Sequence, residues 1–170
     1  MTTCAECGFA YEDLEAATIP GALRALSERY RAAFADANQD ALRRRPEPAV
    51  WSALEYACHV RDVSLVQRDR VIRALVEDCP TNASMHRDER VRWARYAEES
   101  PAGAIDQLAM AADLLATVYD GLSAEQLRRT CRYNYPEPTV RDLAWLGRHT
   151  LHEGEHHLRD IQRTRGIVTS

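Results

Sequence analysis

Residues 139–165 read TVRDLAWLGRHTLHEGEHHLRDIQRTR, and this stretch decides the fold. Leu143, Leu146, Gly147, Thr150, Gly154, Leu158 and Ile161 recur at helical spacing and form one apolar stripe. Thr139 opens the predicted helix with Asp142 as the acid of its first turn, and Gly166 follows Arg165 as a stop. Pro136 and Pro138 keep the approach extended. A long helix with one apolar stripe must bury it against others.

Three such partners stand upstream. Leu23, Leu26, Tyr30 and Phe34 mark a first helix over about Pro20 to Ala37. Ser52 and Glu55 form a capping box that starts a second, which runs to about Val76 before Cys79-Pro80. Ser100 and Pro101 open a third along Ile105, Leu108, Ala112, Leu115 and Val118, ending near Gly121. Residues 81–99 are polar and arginine-rich, with at most a short helix over Val91 to Ala97. No strand pattern, internal repeat or low-complexity tract appears. The expected fold is all-α: a four-helix bundle over residues 19–170, preceded by a tail over 1–18.

The 170 residues suit one domain. All 22 basic residues are arginine, so Schiff-base lysine chemistry and a GK[ST] phosphate loop are excluded. A net charge of −4 speaks against a general nucleic-acid grip, and Arg43-Arg44-Arg45 reads as a solvated loop. No apolar run approaches the roughly 20 residues of a membrane helix. The N-terminus lacks a signal-peptide layout, and five cysteines do not suggest a disulfide framework, so a reduced cytoplasmic setting is expected.

Histidine carries the chemistry. Four of the six lie between His149 and His157, while His59 lies in the second helix and His86 in the polar connection. Ligands at i and i+4 share a helix face and can share a metal ion. Two such pairs are offered, His152 with His156 and Glu153 with His157. By helical angle His157 lies roughly 60° and Glu153 roughly 100° from the apolar stripe, against roughly 160° for His152 and His156. Glu153 and His157 are therefore better aimed into the bundle, with His152/His156 as the rival pair. Gly154 costs about 1 kcal/mol relative to alanine in a helix, which points to close approach of another helix.

These residues carry a resemblance. Trp51-Ser-Ala-Leu-Glu-Tyr-Ala-Cys-His59-Val-Arg-Asp62 resembles the second-helix signature of the DinB/YfiT-like superfamily, in which a tryptophan precedes a metal-binding histidine by eight residues. Glu153-Gly-Glu-His156-His157-Leu-Arg-Asp160-Ile161 resembles its last-helix signature, H-x-x-H-H-x-x-Q/D/H-I. Position by position, the resemblance implies His59, Glu153 and His157 as metal ligands. Glu153 stands where most members have histidine, as in the mycothiol-dependent maleylpyruvate isomerase branch. Asp62 and Asp160, each three residues after a ligand histidine, are candidates to hold the free ring N–H, and His156 to carry a proton. His149 and His152 read as surface residues.

A His-Glu-His set suits Zn²⁺, with Ni²⁺, Mn²⁺ or Fe²⁺ open. The family's best-defined members use bacillithiol or mycothiol, and an arginine- and alanine-rich chain is compatible with a mycothiol-using host. The leading expectation is a metal-dependent thiol S-transferase or isomerase, whose metal-held thiolate attacks a small electrophilic substrate. The alternatives are a metal-dependent hydrolase and a non-catalytic metal-binding stress protein. A homodimer is expected, with no nucleic acid or membrane partner.

Cys4-Ala-Glu-Cys7-Gly-Phe is a separate signal, because CxxCGF looks like one zinc knuckle. Cys4 and Cys7 are candidate ligands of a structural metal, with Cys58, Cys79, Cys131, His86 or a partner subunit to complete it. A redox dithiol and an inert tail are the other readings. Cys58 reads as a small core residue.

Overall fold

Residues 3–134 and 137–168 are described by the structure, a computed structural model. In chain order the helices are α1 (Ile19–Phe34), the short α2 (Gln39–Arg43), α3 (Ala53–Val76), α4 (Arg87–Trp93), α5 (Pro101–Asp120), α6 (Ala124–Leu127) and α7 (Leu143–Val168). The long helices α1, α3, α5 and α7 form a four-helix bundle. Both α1 and α3 pack against α5 and α7, so the connections from α1 to α3 and from α5 to α7 each cross a diagonal of the bundle. No helix among the described residues is long and apolar enough to cross a membrane.

The predicted starts of α3 and α5 are made as their sequences suggest. Glu55 N–H donates to Ser52 Oγ at 3.2 Å, and Ser52 N–H donates to the Glu55 carboxylate at 2.8 Å. Gly103 N–H donates to Ser100 Oγ at 3.3 Å, with Pro101 in the first turn. Arg45 stays exposed in its loop, as expected, but its guanidinium forks onto the buried Glu55 carboxylate at 2.6 and 2.8 Å.

The start of α7 differs from expectation. Thr139–Asp142 is a strand, β2, paired antiparallel with β1 (Thr130–Tyr133). The cap moves three residues along, since Trp145 N–H donates to Asp142 Oδ1 at 2.7 Å. Four residues are too few for local periodicity to reveal, and the pairing that makes them a strand is non-local. Pro136 lies outside the described residues. Asn82 N–H donates to Arg132 C=O at 2.9 Å, and this fastens the polar connection to the hairpin.

Residues 3–18 form a layer on α7, contrary to the expected tail. Cys7 and Tyr11 are buried, Arg148 Nε donates to Leu14 C=O at 2.8 Å, and Phe9 lies 5.6 Å from the His152 ring. On the opposite side of α7, Gly154 admits α1. A Cβ there would meet Leu26 Cδ2 at 2.3 Å, and Tyr30 Oη–H donates to Gly154 C=O at 2.7 Å.

Candidate metal centre

The Ser52 cap and the Arg45 fork fix the first turn of α3, and His59 follows one turn later, 1% exposed. Trp51 lies 5.1 Å from its ring, while Tyr56 stacks on His157 at 5.2 Å. The contact of α1 at Gly154 sets α7 so that Glu153 and His157 face α3. Glu153 Oε2 lies 4.0 Å from His59 Nε2 and 3.8 Å from His157 Nε2. Both separations exceed a hydrogen bond. They are about 0.5 to 0.7 Å wider than the roughly 3.3 Å between nitrogen and oxygen ligands of a tetrahedral zinc.

The electrostatics suit ligands. Burial lowers the pKa of His59 and keeps its imidazole neutral, and neither of its ring nitrogens has a hydrogen-bond partner. Burial alone would raise the Glu153 carboxyl, but His59, His149 and His157 outweigh it and bring it down to about 2. His157 Nδ1 meets Asp160 Oδ2 at 3.0 Å, which leaves Nε2 turned to Glu153.

Asp62, by contrast, does not reach His59. Tyr96 Oη–H donates to its Oδ2 at 2.7 Å, Arg61 Nε to its Oδ1 at 2.9 Å, and Arg90 Nη1 approaches Oδ2 at 3.3 Å. It ties α3 to the polar connection instead. Cys58 is fully buried in the core, and burial pushes its thiol up to about 12.

The remaining histidines of α7 are not surface residues in the expected sense. His149 is 7% exposed, and burial lowers it to about 4. Tyr11 Oη bridges His149 Nδ1 at 2.8 Å and His152 Nδ1 at 3.0 Å. His156 faces the N-terminal layer, with Nδ1 3.9 Å from Cys4 Sγ and Nε2 3.3 Å from Glu6 Oε2. The layer over residues 3–18 covers the polar face of α7, which helical angle alone assigned to solvent. His149, Glu153 and His157 form a continuous i, i+4, i+8 row, so the sequence already held the sign that His149 lies beside the candidate ligands.

A cavity of about 330 Å³ opens over this centre. His59, Glu153 and His149 line it together with Arg70, Tyr133 and residues 83–89. Arg70 lies over the Tyr133 ring at 5.2 Å and donates to Ala83 C=O at 2.5 Å. Sequence reasoning missed Tyr11, Arg70 and Tyr133, since nothing local ties them to the histidines.

The family model of the DinB superfamily matches residues 22–161. One similar solved structure is described as "YfiT from Bacillus subtilis is a probable metal-dependent hydrolase with an unusual four-helix bundle topology". It aligns with a TM-score of 0.77 at 16% identity, over 86% of this chain and 83% of that one, a likeness of fold. No curated protein matches the sequence.

Proposed function

This chain belongs to the DinB superfamily, and from that premise we propose a metal-dependent enzyme that uses a low-molecular-weight thiol, mycothiol favoured, to transfer to or isomerise a small electrophile. One observation carries the reading: His59, Glu153 and His157 offer ligand atoms within 4.8 Å of one another beside a cavity. The residues fit a divalent cation, zinc first. His59 has two buried, unpartnered ring nitrogens, Glu153 is held ionised, and Asp160 fixes the His157 ring. A cation bound there would hold a thiol deprotonated and nucleophilic near neutral pH.

The chain's own side chains supply the rest. His149 Nε2 lies 4.0 Å from Glu153 Oε1 beside the cavity, where the neutral imidazole can donate a hydrogen bond to a bound substrate. Arg70, fixed by Tyr133 and Ala83, presents a cation for a substrate carboxylate. The cavity sits at the low end of the roughly 300–1,000 Å³ of small-molecule sites, which suits a small electrophile and the thiol end of a cosubstrate.

YfiT's description as a probable metal-dependent hydrolase favours a second reading, a hydrolase in which a cation held by His59, Glu153 and His157 would supply a bound water as nucleophile. Monochlorobimane conjugation by the zinc-loaded protein, assayed with mycothiol, bacillithiol, glutathione and no thiol, separates the two. Thiol-dependent turnover that is lost in His59→Ala is expected. Turnover of an ester panel without any thiol would overturn the transferase reading in favour of the hydrolase.

A further inference from the structure

Outside the centre just described, the N-terminal layer brings together a second set of metal-binding groups. Cys4, Cys7, His152 and His156 each offer a ligand atom, and all four atoms lie within 4.8 Å of one another. We propose that these four residues form a second, closed zinc site, which fastens residues 3–18 to α7 and, through Tyr11, sets the orientation of His149 in the cavity.

The backbone of the first residues has the form of a zinc knuckle. Gly8 N–H donates to Cys4 C=O at 2.8 Å, and Cys4 N–H donates to Phe9 C=O at 2.9 Å. The turn needs φ of +70° at Gly8, a conformation open to glycine at little cost. Backbone N–H groups of Cys7 and Glu6 point at the Cys4 sulfur, and that of Phe9 at the Cys7 sulfur. Such N–H···S bonds favour thiolates, and the Cys4 thiol is lowered to about 6, chiefly by the Cys7 N–H. Cys7 shows the opposing demand: burial, with the neighbouring Cys4 sulfur adding to it, raises its thiol. Two thiolates side by side in a buried place call for a cation between them.

The histidines complete the set from α7. His152 Nε2 is buried without a hydrogen-bond partner, while its Nδ1 is engaged by Tyr11. His156 uses the opposite ring atom: Nδ1 lies 3.9 Å from Cys4 Sγ, and Nε2 faces the Glu6 carboxylate at 3.3 Å. Each ring thus has one nitrogen held by an oxygen and the other turned inward, the arrangement of ligand histidines in metal sites. Zinc–sulfur bonds of about 2.3 Å and zinc–nitrogen bonds of about 2.0–2.1 Å put tetrahedral ligand atoms about 3.3–3.8 Å apart. Cys4 Sγ and His156 Nδ1, at 3.9 Å, already stand near this, and the whole set lies within 4.8 Å, so binding draws the widest pairs together by about an ångström. Binding releases to solvent the Cys7 thiol proton, and that of any Cys4 still protonated, and leaves two thiolates and two neutral imidazoles around Zn²⁺, a site of no net charge.

With His152 ligated through Nε2, its Nδ1–H donates to Tyr11 Oη, and Tyr11 Oη–H donates to His149 Nδ1. His149 Nε2 then carries the hydrogen, directed towards Glu153 and the cavity. The closed site thereby fixes one tautomer of a cavity residue.

The full-length protein, loaded with zinc or cobalt(II), tests this by metal analysis and by absorption. Wild type is expected to hold about two metal ions per chain, against about one in Cys4→Ser/Cys7→Ser and about one in His59→Ala/His157→Ala. The cobalt form of His59→Ala/His157→Ala keeps an intense sulfur-to-cobalt charge-transfer band and the visible bands of a tetrahedral complex. Chymotrypsin cleaves after Phe9 and Tyr11 readily only once zinc is stripped. Absence of the charge-transfer band in folded wild type, or formation of a Cys4–Cys7 disulfide in protein that takes up no cobalt, overturns the proposal. If wild type holds about one metal and keeps the band, the proposal stands and the His59 centre fails.

Discussion

Two candidate ligand pairs stand side by side on α7 with the same i, i+4 spacing, Glu153/His157 and His152/His156, yet they meet different surroundings. The first faces α3, where His59 adds one ligand and a cavity of about 330 Å³ leaves room on the remaining side. The second faces the N-terminal layer, where Cys4 and Cys7 complete a fourfold set under Phe9 and Tyr11. Three ligands with an open side suit chemistry, whereas four ligands suit a fastening. Spacing along a helix therefore sets which residues can share a metal, and the element that arrives opposite sets what the metal can do.

The largest expected effect splits the two pairs. His157→Ala should abolish metal at the inner centre and lower turnover by about 10²-fold or more while leaving the cobalt–thiolate band intact. His156→Ala should do the reverse, removing the band and sparing the inner metal. Equal loss of both metals in either variant would break the distinction.

A smaller effect is expected at Asp160, which holds His157 Nδ1 at 3.0 Å. Asp160→Asn should weaken the inner metal by about 10–100-fold in a chelator competition, with the outer site unaffected. Tyr11→Phe removes the hydroxyl between His149 and His152. Its expected cost is about 0.5–1.5 kcal/mol in stability and a few-fold in turnover, with both metals retained. The smallest effect on metal is expected from Asp62→Asn, whose native oxygens face Tyr96, Arg61 and Arg90. Denaturation should show a loss of about 1–3 kcal/mol with inner metal affinity unchanged. A tenfold loss of affinity there would restore Asp62 to the side of His59.

Much of the bundle was legible in the sequence because its signals are local. Ser52 with Glu55 and Ser100 with Pro101 sit within one turn of what they cap, and Leu143, Leu146, Leu158 and Ile161, all buried, declare their stripe by spacing. Gly154 announced a close neighbour, and Leu26 of α1 is that neighbour. The cap of α7 was misplaced by three residues because Thr139–Asp142 satisfies its backbone against Thr130–Tyr133 rather than within a helix. His149 and His152 read as solvent-facing because their side of α7 is polar, whereas residues 3–18, with Tyr133 beside His149, cover it from far along the chain.

The sequence by itself determined four helices, the caps of α3 and α5, the apolar stripes and two candidate ligand pairs, since all of these follow from rotations of about 100° per residue and contacts a few positions apart. Helical angle and the family resemblance already set Glu153 and His157 with His59, whereas only the tertiary structure decided that His152 and His156 meet Cys4, and where Asp62 and Tyr11 spend their hydrogen bonds. Cys4 and His156 stand 152 positions apart, and no local periodicity reaches that far. They meet because Tyr11, Cys7 and Phe9 bury their surfaces on the one face of α7 that α1 and α3 leave free.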